Sequence, residues 1–221
     1  MNTINNNSPK LVIGFGKGRL FTDTLNNFNF ISTPAFQEFV TKKMLQYEDP
    51  YNDTTNVIVR HSDLPYLLKN KHINVAVGSS LWFLNDASTS LQKAFTLTTK
   101  KYHLALIAKK GMNLNNIQKV ATRFEHIAQK YFDNKNKKVK LIKMDGCHEI
   151  ALTLGFADAI IDVVETGETI KRMNFQQLEL IYDLHHEIWL RADENFEKNI
   201  NTLKHLLSPI ALPINKLQPQ R

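Results

Sequence analysis

Short apolar runs alternate with amphipathic segments along most of the chain, which predicts an α/β fold built on parallel strands. Leu11–Gly14 predicts a strand that passes through Gly16-Lys17-Gly18-Arg19 into a helix ending near Phe28. Asn56–Val59 predicts a second strand, followed by Ser62, Asp63 and a helix with Pro65 near its start, ending near Asn70. Asn74–Gly78 predicts a third strand. A second group begins near Tyr102, with strands at His103–Ala108, Val120–Thr122, Val139–Met144 and Ala159–Val164 and helices at Arg123–Phe132 and His148–Leu154. Further on, Leu178–Tyr182 and Ile188–Leu190 read as extended, Glu194–Leu207 as helical and the proline-bearing Pro209–Arg221 as an irregular extension.

No linker rich in Gly, Pro or Ser separates the two groups and no internal repeat appears. The pattern predicts two closely joined α/β lobes with the ligand site in the cleft between them. Sites in open α/β sheets lie beyond the carboxyl ends of strands. Three loops fall at such ends: Gly14–Arg19, Arg60–Asp63 and Glu165–Thr169.

Ala157–Lys171 (ADAIIDVVETGETIK) is the most informative segment. A strand with one acid in its middle, Asp162, breaks into Glu165-Thr166-Gly167-Glu168-Thr169 and then a helix start. Backbone N–H groups at such a turn suit a phosphate, and the preceding carboxylates suit sugar hydroxyls, which points to a phosphorylated-sugar site.

Composition narrows the partners. The 221 residues are 43% hydrophobic, ordinary for a globular protein, and contain no apolar stretch long enough for a membrane span. The polar, Asn-rich first ten residues lack a signal peptide's apolar core, so a disordered lead and a cytoplasmic location are expected. A single cysteine, Cys147, excludes an intramolecular disulfide and a cysteine-based metal cluster, and nothing local marks it as an activated nucleophile. The net charge of +7 suits anionic metabolites or nucleic acid. Its one dense cluster, Lys135 to Lys140, lies between a helix and a strand and reads as a solvated turn, and no zinc-finger or aromatic-basic RNA motif appears. The eight histidines show no metal-binding spacing, and adjacent His185 and His186 would point oppositely on a strand, so no structural metal is expected.

Gly14–Leu20 contains G-x-G, yet Arg19 stands where the dinucleotide fingerprint needs a third glycine. Lys17 and Arg19 instead suit triphosphate or pyrophosphate oxygens. Two cations at a helix start oppose the macrodipole, a cost that a bound anion would offset. Arg60, at a strand end, suits a bidentate phosphate contact or stacking on a base. Asp63 reads as a helix cap or a ligand, and Glu149 as a ligand or a first-turn acid.

Together these loops resemble the ATP phosphoribosyltransferase family. GKGRL at 16–20 is similar to the family's PKGRL, Arg60–Pro65 to its R-x-S-D-L-P, Val120–Phe132 to its ATKYPNIARRYF and, most specifically, Ala157–Lys171 to its LADAIVDIVETGTTL. The ordered set spans about residues 10–195. The resemblance implies two lobes with mixed sheets, like a type II periplasmic binding protein, with the active site in the interlobe cleft. Lobe I would comprise residues 1–97 and 183–208, lobe II 98–182 and a C-terminal extension 209–221. The implied reaction transfers phosphoribose from phosphoribosyl pyrophosphate to N1 of ATP and releases pyrophosphate. Asp158, Asp162 and Glu165–Thr169 would bind phosphoribosyl pyrophosphate. Lys17, Arg19, Lys43, Arg60 and Asp63 would meet ATP or pyrophosphate, with Arg60 and Lys17 catalytic. Mg²⁺ would arrive on the substrate phosphates. The chain resembles the short catalytic form, which implies a regulatory subunit similar to histidyl-tRNA synthetase, a hetero-octamer with it and a dimer alone.

The sequence departs from the family's pattern at several points. Phe15-Gly16 replaces the Pro before Lys17, Lys43 stands for an Arg, Leu81 for an acid after the third strand and Glu168 for a Thr in the phosphate loop. A non-catalytic two-lobed nucleotide or phosphosugar binding module is the alternative that these departures support, and charge alone supports a nucleic-acid binder.

Overall fold

The computed structural model describes residues 10–42, 44–193 and 195–208. Two mixed β-sheets organise them, one in each of two compact units. The first unit contains residues up to 82, 88–100 and 186 onward; the second contains 83–87 and 101–185.

The first unit carries six strands: β1 (Leu11–Lys17), β2 (Gln46–Asp49), β3 (Thr54–Arg60), β4 (Val75–Ser79), β5 (Leu91–Thr96) and β11 (His186–Arg191). Their order is β2-β3-β1-β4-β11-β5, with β3, β1 and β4 parallel and β2 and β11 antiparallel to their neighbours. Central β4 is buried throughout and β1 over Ile13–Gly16, so both read as continuous apolar runs. Helices α1 (Phe21–Leu25), α2 (Pro34–Thr41), α3 (Leu64–Lys69) and α8 (Phe196–Leu206) belong to the same unit, and α4 (Ser80–Asp86) begins in it. Pro34 opens α2, and Thr33 caps it by accepting a bond from the Phe36 N–H. That helix seats Phe36 and Phe39 in an aromatic series from Phe15 through Phe28, Phe30 and Phe36 to Phe39 and Tyr47, with successive ring centroids 4.9–5.6 Å apart. Phe196, Ile200 and Leu203 of α8 join the same core at helical spacing.

The second unit carries β6 (Tyr102–Lys109), β7 (Lys119–Thr122), β8 (Lys140–Lys143), β9 (Ala159–Val164) and β10 (Phe175–Leu184), in the order β10-β6-β9-β7-β8. β6 runs antiparallel to both of its neighbours, and β7 parallel to both of its own. Its helices are α5 (Glu125–Asp133), α6 (Glu149–Leu154) and α7 (Glu168–Arg172). Ala105, Ile107, Ala121, Ile160 and Val164 of the sheet pack with Ala151 and Leu152 of α6.

Besides the short excursion at 83–87, the chain crosses between units at 100/101 and 185/186, where the sequence reading set the bounds at 97/98 and 182/183. Thr98 stays with the first unit because its backbone exchanges two hydrogen bonds with the Asn27 side chain, at 2.9 and 3.0 Å. Asp183 and Leu184 stay with the second because β10 continues to pair with His103 and Tyr102. The proposed extension 209–221 and most of the N-terminal lead lie outside the described residues. Among the described residues no helix is long and apolar enough to cross a membrane.

Candidate active site

In the first unit, β1 and β3 end side by side. Their parallel register pairs Lys17 with Arg60, and both side chains are exposed. Two cations therefore stand together at the carboxyl ends of adjacent parallel strands, where α/β sheets bind ligands. Arg19 is exposed in the following turn, which closes when the Phe21 N–H donates to the Gly18 carbonyl at 3.1 Å. Helix α1 starts only at Phe21 and spans five residues, so little dipole accumulates for Lys17 and Arg19 to oppose. The electrostatic case for an anion here rests on the Lys17–Arg60 register instead.

The glycines of this loop do something the sequence did not reveal. A Cβ at Gly16 would lie 2.2 Å from His61 Nδ1, one at Gly78 2.7 Å from the same atom and one at Gly18 3.2 Å from Nε2. Their bare backbones make room for the His61 imidazole. The Ser79 N–H donates to Nδ1 at 3.3 Å, which leaves the ring proton on Nε2. His61 meets His186 edge-on, with centroids 5.2 Å apart. His186 Nδ1 bonds to Thr24 Oγ1, whose own proton goes to the Leu20 carbonyl at 2.7 Å, so the histidine is the donor. Burial pushes His61 down to about 4. Burial, with the neighbouring His61, takes His186 to about 3. Both rings are neutral at physiological pH.

Asp63 occupies the residue before α3, but its backbone is already helical and it makes no capping bond. Its carboxylate accepts from Ser62 Oγ at 3.0 Å, so the capping role read from the sequence does not hold. Lys43 lies outside the described residues.

In the second unit, β9 delivers Asp162 and then the loop. Asp162 Oδ1 accepts from the Val163 N–H at 2.7 Å, and Oδ2 faces His148 Nδ1 at 2.8 Å. His148 Nε2 lies 3.0 Å from the Met144 carbonyl. A carboxylate and a carbonyl can only accept, so both contacts are hydrogen bonds at once only when both ring nitrogens carry protons, and the geometry favours the charged imidazole. Burial opposes that charge, and Arg123 adds to the opposition. The Asp162 hydrogen bond and charge, with the Met144 carbonyl, outweigh both and hold His148 above its ordinary 6.5. The His148 side chain is only 3% exposed against 26% for Asp162, so the carboxylate keeps a solvent-facing side. Sequence reading placed His148 only at a helix start. It lies fourteen residues from Asp162 on a different element, and no local signal joins them.

The chain then turns through Glu165, Thr166 and Gly167 into α7. Gly167 has φ of 73°, the left-handed conformation that glycine adopts at least cost. Glu165, Thr166 and Glu168 are exposed; Gly167 and Thr169 are half-buried. Thr166 Oγ1 accepts from the Glu168 N–H at 3.4 Å, so one of the loop's amides is already lightly engaged. Asp158, expected with this group, sits before the other end of β9, a strand of six residues and about 20 Å away at the usual rise. Its Oδ2 accepts from the N–H groups of Gln118 and Lys119 at 2.9 and 2.8 Å, which anchors the start of β7. Glu149 opens α6 as a first-turn acid, and Cys147 is exposed beside it.

The lysine cluster is more tied down than a solvated turn. Lys135 Nζ lies 2.9 Å from Glu179 and over the Tyr131 ring, and Lys137 donates to the Asn115 carbonyl at 3.0 Å. Among the described residues no group of three or more His, Cys, Asp or Glu is arranged to hold a metal ion.

The profile of the ATP phosphoribosyltransferase family (HisG) matches residues 60–211. The curated ATP phosphoribosyltransferase of Geobacillus sp. (strain WCH70) is 27% identical over 175 residues, covering 79% of this chain and 84% of that protein. That of Staphylococcus aureus (strain JH9) is 26% identical over 190 residues, covering 86% and 91%. Among solved structures, the ATP phosphoribosyl transferase (HisG:HisZ) complex from Thermotoga maritima has a chain similar in fold at a TM-score of 0.70 and 22% identity, covering 88% of this chain and 96% of its own. YhfZ from Shigella flexneri is similar at 0.58 and 16%, covering 90% and 84%. On the family match across most of its length, the chain belongs to the ATP phosphoribosyltransferase family, whose reaction is the first step of histidine biosynthesis.

Proposed function

We propose that the two strand ends divide the family's substrates between them. The turn Glu165–Thr169 takes the 5′-phosphate of phosphoribosyl pyrophosphate on its backbone N–H groups and on the hydroxyls of Thr166 and Thr169. Asp162 accepts from the ribose hydroxyls. Lys17 and Arg60, paired in register, neutralise the leaving pyrophosphate or the ATP phosphates, with Arg19 nearby and Lys43 and Asp63 as further candidates. Magnesium comes with the substrates, coordinated by their phosphates, which agrees with a cation that keeps few protein ligands.

The chemistry asks little of a nucleophilic side chain. N1 of ATP attacks C1′ as the bond to pyrophosphate breaks, and positive charge develops on the sugar ring. The protein's part is to align the two reactants and to stabilise charge on the departing oxygens. A cationic pair, a phosphate turn and a carboxylate fit that demand. The observation that carries the reading is the run Asp162–Thr169: one buried strand carries an acid with an open side two residues before its end and then runs into a glycine turn with φ of 73°. The T. maritima neighbour, solved as a HisG:HisZ complex, supports a partner of the HisZ kind, and the pathway supports a cytoplasmic setting.

Incubating the full chain with ATP, phosphoribosyl pyrophosphate and Mg²⁺, and following phosphorus resonances, tests this. Pyrophosphate and an N1-substituted ATP are expected in equal amounts, each requiring both substrates. Binding of both without product, even with a HisZ partner added, would favour the binding-module alternative.

A further inference from the structure

The proposed function gives His148 no role, yet its contact with Asp162 is closely held. Met144 and His148 belong to the connection between β8 and α6, and Asp162 to β9, so two separate segments meet at one imidazole. The ring is nearly sealed from solvent, while the carboxylate is not. One carboxylate oxygen is held by the imidazole and the other by the Val163 N–H, which fixes the plane of the group. Three residues further along the chain, the loop Glu165–Thr169 begins.

A bare carboxylate so near a phosphate loop would repel the phosphate. We propose that His148 is a positioning residue for the phosphoribosyl subsite: its imidazolium fixes the Asp162 carboxylate and cancels its charge, so that Asp162 accepts ribose hydroxyls without repelling the adjoining 5′-phosphate. The inference rests on the reading of Asp162 as the ribose acceptor.

The charged groups that act on His148 are Asp162 on β9, which favours the cation, and Arg123 after β7, which opposes it. The balance lies above the ordinary 6.5. Below 6.5 the pair carries its full charge complement. As pH rises through the higher folded-state value the imidazole loses its proton, a net negative charge appears at the subsite, and affinity for the polyanionic substrate falls. The same sign governs stability: the pair's contribution is complete below 6.5 and is lost as pH rises through the folded value.

The experiment measures phosphoribosyl pyrophosphate affinity of the full chain by calorimetry from pH 6 to 9, with KM and kcat alongside, for wild type, His148→Gln and Asp162→Asn. Gln can still donate to Asp162 but carries no charge. Its expected effect is about tenfold weaker binding at pH 6.5, a matching rise in KM with kcat little changed, and loss of the affinity decline seen in wild type above that pH. The substrate's own phosphate, titrating near about 6, is common to both profiles and drops out of the comparison. In wild type, the ring nitrogen resonances of His148 should mark a doubly protonated imidazole at pH 7 and titrate at the midpoint of the affinity decline. This measurement needs no variant and decides the question should His148→Gln fail to fold. A His148→Gln profile parallel to wild type, or a His148 neutral at pH 7, overturns the inference. Unchanged binding by Asp162→Asn, with His148 still cationic in wild type, overturns instead the assignment of Asp162 to ribose.

Discussion

The two strand ends use the same residue type in opposite ways. At the carboxyl ends of β1 and β4, His61 and His186 meet edge-on, and desolvation pushes them to about 4 and about 3. At β9, His148 is also buried, 2% exposed, yet is held above 6.5, because Asp162 and the Met144 carbonyl offer acceptors to both ring nitrogens. Burial alone therefore does not set the charge of a histidine; the acceptors that remain in reach of it do. The functional consequence differs as well. In the first unit the charge is left to Lys17 and Arg60 at the surface, with neutral rings packed beneath the loop. In the second, a buried imidazole is held toward its charged form and its carboxylate partner is the group left open.

The comparison can be broken most severely at the exposed cations. Arg60→Ala is expected to lower kcat/KM about 100-fold, the scale of losing one preorganised charge donor, with Arg60→Lys recovering part of it. A loss of less than about threefold on steady-state rates would mean that the β1/β3 end does not meet substrate.

Next in size is the packing that holds His61. Gly16→Val drives its side chain into the imidazole and should destabilise the protein by about 1–3 kcal/mol in denaturant melts. Combining it with His61→Ala should restore much of that loss, since the clash has one partner. Strict additivity of the two substitutions would show that the glycines are not there for the ring.

Acid should separate the units by sign. His61 and His186 take up protons in the unfolded chain near 6.5 but resist them when folded, so stability should fall as pH drops from 6.5 toward 4. His148 acts the other way, losing its contribution only as pH rises above 6.5. Thermal melts of His61→Gln, which retains a donor and an acceptor, should lose part of the acid slope and leave the alkaline one. A wild-type melting temperature flat from pH 4 to 6.5 would contradict the buried neutral pair.

The smallest effect belongs to the phosphate turn. Glu168 is exposed, so its carboxylate is well screened, and Glu168→Thr should tighten phosphoribosyl pyrophosphate binding only about twofold to fivefold, more at low salt. Weaker binding in the variant would assign the carboxylate an attractive role.

The sequence made some of this visible for clear physical reasons. β9 runs over Ala159–Val164 as read, because both of its faces are buried and every residue but Asp162 is apolar. β2 escaped because Gln46–Asp49 is a polar edge strand with a single fully buried residue, leaving no apolar alternation to find. Helix α2 carries a start signal in the sequence, Thr33 followed by Pro34. At the site, Lys17 and Arg60 could be named singly, but only the strand register makes them a pair. Glycines 16 and 18 were legible as part of a G-x-G loop and Gly78 only as a strand end, none of them as the frame of a histidine, because the clash they avoid comes from elsewhere in the chain. His148 was hidden for the same reason: its meaning lies in a through-space contact with Asp162.

The division of the two strand ends is tested most directly with ribose 5-phosphate, which carries the sugar and the phosphate but no pyrophosphate. Amide chemical-shift mapping of the full chain should show the perturbations centred on 166–169 and Asp162, lost in Asp162→Asn and retained in Arg60→Ala. Perturbations centred instead on Lys17 and Arg60, with the amides of 166–169 unmoved, would contradict the account.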